Sequence, residues 1–163
     1  MSPLEQQRFV DTELNNYIQA LRMDDPCLSD DVQRVLRYIH AHLFEESLST
    51  QQVLAQCHIR SHSFNARFKF ELLRSGWGRT TIWTYIQRQR VEAAKRLLEH
   101  KGIELFLIAV SLGFRHYETF TRVFRRYANE SPSAFRNRLP APPGPCTGPE
   151  GGGVNHQGKS SRE

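Results

Sequence analysis

Apolar residues along this chain recur at intervals of three and four, the spacing that places side chains on one face of an α-helix. The pattern is clearest where Val32, Val35, Leu36, Ile39 and Leu43 follow one another. Sustained alternation of apolar and polar residues is absent from the sequence, and so are the Asn-Gly and Asp-Gly pairs typical of β-hairpins. The sequence therefore predicts an all-α fold.

Capping and turn residues divide this periodic chain into successive helices. The predicted helices are Leu4–Met23 (ended by Asp24-Asp25-Pro26), Ser29 to Leu43, Ser49 or Thr50 to Cys57, one from about Ser61 through Phe64 and Phe68, Thr80 or Thr81 to Leu98, Ile103–Leu112, His116–Ala128, and a short one from Ser131-Pro132. Ser29 is expected to cap its helix, and Gly102 and Gly113 follow two helices as terminators.

Two of these helix pairs have the same organisation. Residues 50–74 and 103–128 each form a helix, a turn and a second helix, and one long helix joins them. In a helix-turn-helix unit the second helix can lie in the major groove of DNA. Residues 1–28 are predicted to be a helical extension. Residues 140–163 are rich in proline and glycine and are predicted to be a disordered tail.

Composition narrows the class of protein further. The 163 residues are 39% hydrophobic, enough to bury a core, and no apolar run reaches the roughly 18 residues that a membrane span needs. Three scattered cysteines do not describe a disulfide framework, and the N-terminus does not resemble a signal peptide. We therefore expect a protein of a reducing cytosol, with no membrane partner.

The charge is unevenly distributed along the chain. Residues 1–57 carry a net charge of −5, residues 58–138 carry +10, and the remaining residues sum to zero. A basic block of this size suits a polyanionic partner. Basic composition alone is weak support, because many soluble proteins are basic.

The predicted helix over residues 115–127 separates its aromatic and charged residues. On a helical wheel, Tyr117, Phe120, Val123, Phe124 and Tyr127 form one apolar stripe. The opposite face carries Arg115, Glu118, Thr119, Arg122, Arg125 and Arg126. A solvated face on an ordinary amphipathic helix is the plain interpretation. Exclusive use of arginine, whose forked donors match guanine edges and phosphates, favours a DNA recognition helix. A stacking platform for single strands would instead expose aromatics and cations together.

These residues resemble the DNA-binding domain of AraC/XylS-type bacterial transcription regulators. The matching positions are Ile108-Ala109, Gly113-Phe114, Phe120, Arg122, Phe124-Arg125-Arg126, Ser131-Pro132 and Phe135-Arg136, with Tyr85-Ile86, Arg90, Ala94 and Leu97-Leu98 in the long helix. The resemblance covers residues 30–139. It implies two homeodomain-like helix-turn-helix subdomains, at about 29–79 and 102–139, bridged by a linker helix at about 80–101. The helix in residues 1–28 is additional.

The resemblance also implies sequence-specific binding to adjacent major-groove segments of double-stranded DNA. It further implies a bacterial cytoplasmic protein associated with the nucleoid. By position, the second reading helix is His116–Arg126. Candidates for base or near-backbone contacts are Arg115, His116, Glu118, Thr119 and Arg122, and candidates for phosphate contacts are Arg125 and Arg126. In the first unit the candidate contacts are Ser61, His62, Ser63, Asn65 and Lys69. Leu73 and Phe70 interrupt that face. Arg90 falls on the apolar stripe of the linker helix and is assigned a packing or hinge role.

The chain departs from the family pattern in two places. Asn129 stands where the family usually has glycine, and asparagine tolerates the left-handed conformation better than most residues. Phe68 and Tyr85 lie further apart than in the family, which indicates an insertion within Phe70–Arg79. The insertion either lengthens the first reading helix or enlarges the turn. Trp77 at its tip is expected to fold back onto the core rather than to be exposed for a partner.

No catalytic function is expected from this sequence. Cys57 and His58 are adjacent in the chain, which does not create nucleophile–base geometry. Metal-ligand spacing and a phosphate-binding glycine loop are both absent from the sequence, so we expect neither metal nor cofactor. The alternative function is a degenerate helix-turn-helix module that binds protein without specific DNA recognition.

Other partners depend on the residues before the matched region. Residues 1–28 are too short for a sensor domain, so we expect either a stand-alone domain or a helix that meets another protein. RNA polymerase or another regulator is a candidate partner. The stripe of Leu14, Ile18 and Leu21 permits a partner helix, although docking against the chain's own domain is favoured.

Overall fold

The computed structural model describes residues 1–21 and 26–140, and the regular secondary structure in those ranges is helical. The helices there are α1 (Pro3–Ala20), α2 (Asp30–Ala41), α3 (Thr50–Gln56), α4 (Phe64–Arg74), α5 (Ile82–Leu98), α6 (Leu105–Ser111), α7 (Tyr117–Ala128) and α8 (Pro132–Arg138). The all-α prediction is confirmed. The division into extension, domain and tail stays a prediction, and residues 141–163 of the tail lie outside the described residues.

Several helix ends differ from those predicted. Helix α1 ends at Ala20, before Met23, because Leu21 already has an extended backbone (φ −70°, ψ 124°). Of the residues expected to end it, Asp24 and Asp25 lie outside the described residues. Helix α2 ends at Ala41, before Leu43, and α6 begins at Leu105, after Ile103. Leu43 and Ile103, which lie just beyond the ends of α2 and α6, are still buried, so there the periodicity identified the core and overestimated the helices.

Ser29 occupies the N-cap of α2 as predicted, but its side chain does not cap that helix. The Ser29 hydroxyl donates instead to Glu71 Oε1 at 2.9 Å, and its backbone N–H donates to Glu71 Oε2 at 2.8 Å. The Glu71 carboxylate therefore ties the start of α2 to α4, the predicted first reading helix. Ser49, Thr81 and Ser131 do cap their helices, each accepting a backbone N–H.

Helix α1 packs against the rest of the chain through Val10, Leu14 and Tyr17, which are buried. It contacts α5 and α6, and the Tyr17 hydroxyl donates to Gln89 Oε1 of α5 at 2.6 Å. Helix α1 therefore docks against the chain's own domain, as the sequence favoured. Ile18 and Leu21 are only half-buried.

The long helix α5 joins two aromatic cores. Phe64 and Phe68 are buried in the first unit, and Phe120 and Phe124 are buried in the second. Helix α5 itself buries residues along most of its length, as expected for an element covered on several sides. Its contacts with α1, α6, α7 and α8 make it the centre of the fold.

Arg90 of α5 connects the two units, each counted with the rest of its subdomain (about 29–79 and 102–139). Its guanidinium is buried and donates to the carbonyls of Leu43 at 2.9 Å, Glu45 at 2.6 Å and Gly113 at 3.1 Å. The group also lies over the Phe114 ring, 5.5 Å from its centroid. Burial lowers the pKa of Arg90 to about 10, which leaves it charged at neutral pH. The packing role assigned from the sequence thus corresponds to three hydrogen bonds to backbone of both units.

Residues 70–79, where the sequence indicates an insertion, are divided between the end of helix α4 and the turn that follows it. Helix α4 continues to Arg74, and the following turn uses Gly76 at φ +82° and Gly78 at φ +79°. Trp77 between them meets the Tyr85 ring edge-on at 5.7 Å and remains 36% exposed. Trp77 therefore packs against the core residue Tyr85, as expected of a tryptophan that folds back, but about a third of it stays exposed.

Candidate nucleic-acid interface

The second reading helix, α7, is fixed to the core by a row of aromatic rings. Phe120 lies 5.4 Å from Phe114 and 5.8 Å from Phe124 between ring centroids, and Phe124 lies 5.6 Å from Phe135. Asn129, which stands where the family usually has glycine, ends the helix in the left-handed conformation at φ +61°. These ring contacts fix the orientation of α7 on the core, so that its opposite face is turned away from the core.

That opposite face carries cations with no acidic partner. Arg122, Arg125 and Arg126 are exposed, and within residues 1–21 and 26–140 none of them has a carboxylate at ion-pair distance. Arg125 and Arg126 lie in the last turn, where they also complement the helix dipole. Arg115, in the turn before α7, is 3.8 Å from Glu46, but both side chains are mostly solvated, so this pair is weak.

Two shallow depressions gather most of the predicted contacts in this unit. The first has a volume of about 330 Å³ and is lined by Leu105, Phe106, Arg115, His116, Tyr117 and Glu118. The second has a volume of about 500 Å³ and is lined by Tyr117, Glu118, Thr121, Arg122 and Arg125. Neither lining includes Thr119, which is half-buried, or Arg126.

In the first unit, the predicted contacts lie at the start and along one face of α4. Ser61 and Ser63 precede the helix with their hydroxyls 2.8 Å apart, and both are exposed. His62, Asn65 and Lys69 are brought together around a depression of about 640 Å³. Ala66, Phe70, Leu73 and Arg79 complete its lining. The face is thus polar near the helix start and apolar further along.

The other cations of α4 are engaged within the protein. Arg67 donates to Asp31 Oδ2 at 2.7 Å and lies over the Phe64 ring at 5.4 Å. Arg74 lies over the Phe70 ring at 5.9 Å. Lys69 and Arg79 are the cations that remain beside the depression. Among the cations of α4, Lys69 alone lies outside such contacts in the described part of the chain, whereas α7 carries Arg122, Arg125 and Arg126 with no carboxylate there at ion-pair distance.

Two polar residues at these sites, Thr121 and Arg79, were not identified from the sequence. Thr121 lies on the flank of α7, next to Arg122, and its buried hydroxyl has no hydrogen-bond partner within the described residues. Its place on the helical wheel, between the apolar stripe and the arginines, was a usable signal. Arg79 reaches the first site from the inserted turn, and no helical spacing could have placed it there.

Comparison with known proteins agrees with this geometry. The model of a helix-turn-helix domain family matches residues 75–138, the region from the inserted turn through α8. The uncharacterized HTH-type transcriptional regulator YobQ of Bacillus subtilis is 31% identical over 104 residues, 64% of this chain and 40% of YobQ. The regulatory protein SoxS of Escherichia coli K12 is 39% identical over 59 residues, 36% of this chain and 55% of SoxS. The chain thus spans about half or less of these relatives.

A solved structure shares the fold. The DNA-binding domain of AdpA, a global transcriptional factor crystallised in complex with a target DNA, is similar with a TM-score of 0.56 and 28% sequence identity. The similarity covers 67% of this chain and 92% of the AdpA domain. The resemblance found in the sequence is confirmed: residues 75–138 match a helix-turn-helix domain, and the similar proteins include transcriptional regulators and a DNA-binding domain. No helix of the described residues is long and apolar enough to cross a membrane.

Proposed function

We propose that this chain is an AraC-type, sequence-specific regulator of transcription that binds double-stranded DNA. Its two reading helices, α4 and α7, enter adjacent major-groove segments. It acts at the nucleoid in the bacterial cytoplasm. One observation carries the proposal: α7 directs unpaired guanidiniums to solvent from a helix whose other face is locked into an aromatic core.

The residues of α7 divide into two proposed roles. Arg122 and Glu118 lie on its outward face together with the helix-start residue His116, where side chains of a recognition helix meet base edges. Arg125 and Arg126 lie in the last turn and contact phosphates, which position the helix without reading sequence. Arg115 and Thr119 complete the proposed contacts of this unit.

The first unit makes a smaller contribution in this proposal. Ser61, His62, Ser63 and Asn65 provide neutral or weakly basic donors and acceptors, and Lys69 provides the charge. Contacts of this kind can specify bases but add little of the electrostatic attraction that dominates affinity for DNA. The second unit therefore anchors the protein, and the first adds sequence preference.

Two features of the comparisons support the proposal. The AdpA domain, similar over two thirds of this chain, was crystallised with a target DNA. SoxS is a regulatory protein and YobQ is described as a transcriptional regulator. The alternative of a module that binds only protein, such as RNA polymerase or another regulator, has no observation in its favour. The experiment below still distinguishes the two.

The test is selection of bound duplexes from a random pool at two salt concentrations, with the unchanged protein and with Arg122→Ala. We expect a motif covering two adjacent groove segments, and loss of preference at one position in Arg122→Ala. Arg8→Ala, at an exposed arginine of α1, is the matched control and should select the unchanged motif. No enrichment at either salt concentration would overturn the proposal and favour the protein-binding alternative.

A further inference from the structure

A groove of about 570 Å³ lies beside α5, away from the proposed DNA contacts. Its walls come from four parts of the fold: Tyr17 on α1, Trp77 in the inserted turn, Arg88 on α5 and Phe135 on α8. None of the predicted DNA contacts lines it. Its size is in the range of small-molecule sites, roughly 300–1,000 Å³.

The floor of the groove is aromatic and uncharged. Tyr17 and Tyr85 are buried, and their hydroxyls are bonded within the protein, to Gln89 Oε1 at 2.6 Å and to His40 Nε2 at 2.7 Å. Burial raises the pKa of Tyr17 to about 12, so its hydroxyl stays protonated at neutral pH. Tyr17 and Tyr85 are only 5% and 3% exposed, so Trp77, which is 36% exposed and packs against Tyr85, offers more aromatic surface to the groove than they do.

Two cations stand beside this floor. Arg96 lies over the Tyr17 ring, 4.9 Å from its centroid, and Arg88 Nη1 donates to the Trp77 carbonyl at 3.3 Å. In the part of the chain that the structure describes, neither guanidinium has a carboxylate at ion-pair distance, whereas Lys95 is paired with Glu92 at 2.7 Å. Arginine beside aromatic rings is suited to a flat ligand with an acidic group.

The groove is unsuited to the backbone of DNA. Glu92 and Glu99, both exposed, also line it, and a run of phosphates would have to pass these carboxylates. A small molecule with a single anionic group meets less of that repulsion than a run of phosphates does. The concave shape likewise favours a compact ligand over a duplex.

We propose that this groove binds a small molecule with a flat aromatic body and one carboxylate or sulfonate group. The aromatic body packs against Trp77, and the anion pairs with Arg88 or Arg96. The proposal is independent of DNA binding, since it rests on residues that the proposed interface does not use.

The probe is 1-anilinonaphthalene-8-sulfonate, an aromatic sulfonate whose fluorescence rises on binding. The uncharged N-phenyl-1-naphthylamine is its counterpart without the sulfonate. We expect one saturable site for the sulfonate with a Kd on the order of tens of micromolar. The double variant Arg88→Gln/Arg96→Gln should weaken the sulfonate about tenfold or more and change the amine less than about twofold.

The two tryptophans locate the site. Trp77→Leu should weaken both probes, because it removes a wall of the groove, while Trp83→Leu, at an exposed tryptophan outside the lining, should change neither. Arg122→Gln, on α7, should also leave the sulfonate affinity unchanged. Thermal melts verify folding, and the single variants Arg88→Gln and Arg96→Gln replace the double variant if it unfolds.

Three outcomes would overturn the proposal. The first is the absence of saturable binding. The second is a loss in the arginine variants that is equal for the sulfonate and the amine, which would leave an apolar patch with no anion site. The third is a loss in Arg122→Gln or Trp83→Leu with none in the groove variants, which would place the probe elsewhere.

Discussion

The two helix-turn-helix units share one internal framework and differ on their outward faces. The same interval separates Phe64 from Phe120 and Phe68 from Phe124, and all four are buried. Applied to the outward positions, this interval pairs Ala66 with Arg122, Lys69 with Arg125 and Phe70 with Arg126. The core positions are fixed by packing, whereas the outward positions are free to differ in function.

The turns of the two units differ in what they allow. The second residue after the first helix of each unit, α3 or α6, has a positive φ: +55° at His58 and +78° at Gly113. A Cβ at Gly113 would lie 2.6 Å from the Phe44 carbonyl oxygen and 3.0 Å from Arg90 Nη2. The second turn is packed against the first unit, and this contact, in addition to the backbone conformation, requires glycine there.

Substitutions at these two turn positions should differ most in their effect on the free energy of unfolding. Gly113→Ala is expected to lower the free energy of unfolding by about 2–4 kcal/mol, because positive φ and backbone overlap both oppose the added Cβ. His58→Gly, the matched change in the first unit, should shift stability by less than about 1 kcal/mol. Urea denaturation measures both, and a Gly113→Ala variant as stable as the parent would refute the tight packing.

Acid should weaken the protein through the first unit. Burial lowers the pKa of His40 on α2 to about 4, whereas a histidine in the unfolded chain titrates near pH 6.5. Between these values the unfolded state binds more protons, so stability falls as the pH falls, by about 2 kcal/mol from pH 7 to pH 5. His40→Gln should remove that part of the pH dependence. An unchanged slope in urea denaturation across this range would show that His40 is not responsible.

The anchoring role of the second unit can be tested at two outward positions. Arg122→Ala should weaken binding to the selected duplex by about 1–3 kcal/mol, because a guanidinium–base contact is lost. Asn65→Ala in the first unit should reduce the binding free energy for the same duplex by less than about 1 kcal/mol. Fluorescence anisotropy with a labelled duplex measures both, and a larger loss for Asn65→Ala would reverse the order of the two units.

The smallest effect should come from making the first unit resemble the second. Ala66→Arg places an arginine at the counterpart of Arg122 on an exposed position of α4. We expect a gain in affinity of up to about 1 kcal/mol and a salt dependence steeper by about one phosphate contact. Ala55→Arg, an exposed position on the other helix of the first unit's motif, controls for net charge. Equal gains from both would mean that charge alone, and not position, matters.

Much of this architecture could be predicted because it depends on local pattern. The burial of Phe120 and Phe124 followed from helical spacing, and the left-handed Asn129 followed from the few residues that accept that conformation. The role of Arg90 was predicted as packing at the junction. Its partners could not be predicted, because they are backbone carbonyls from residues distant in sequence.

The parts that escaped prediction depend on distant contacts. The bond between Ser29 and Glu71 joins two helices, and the helix-cap pattern alone assigned the serine to its own helix. The half-exposed state of Trp77 depends on Tyr85 and on two glycines with positive φ. The contacts predicted on both reading helices stay predictions, because their use depends on a partner whose shape the sequence does not contain.

The three carbonyls that Arg90 holds come from both units, and this has a consequence for any target site. Hinge motion between the units would have to break hydrogen bonds to a buried cation, so the distance and angle between α4 and α7 are set by the protein. If both helices read DNA as proposed, one base pair inserted between the segments would rotate one of them by about 35°. The DNA, through bending or twisting, would then have to absorb the mismatch, and spacing would be recognised as strictly as sequence.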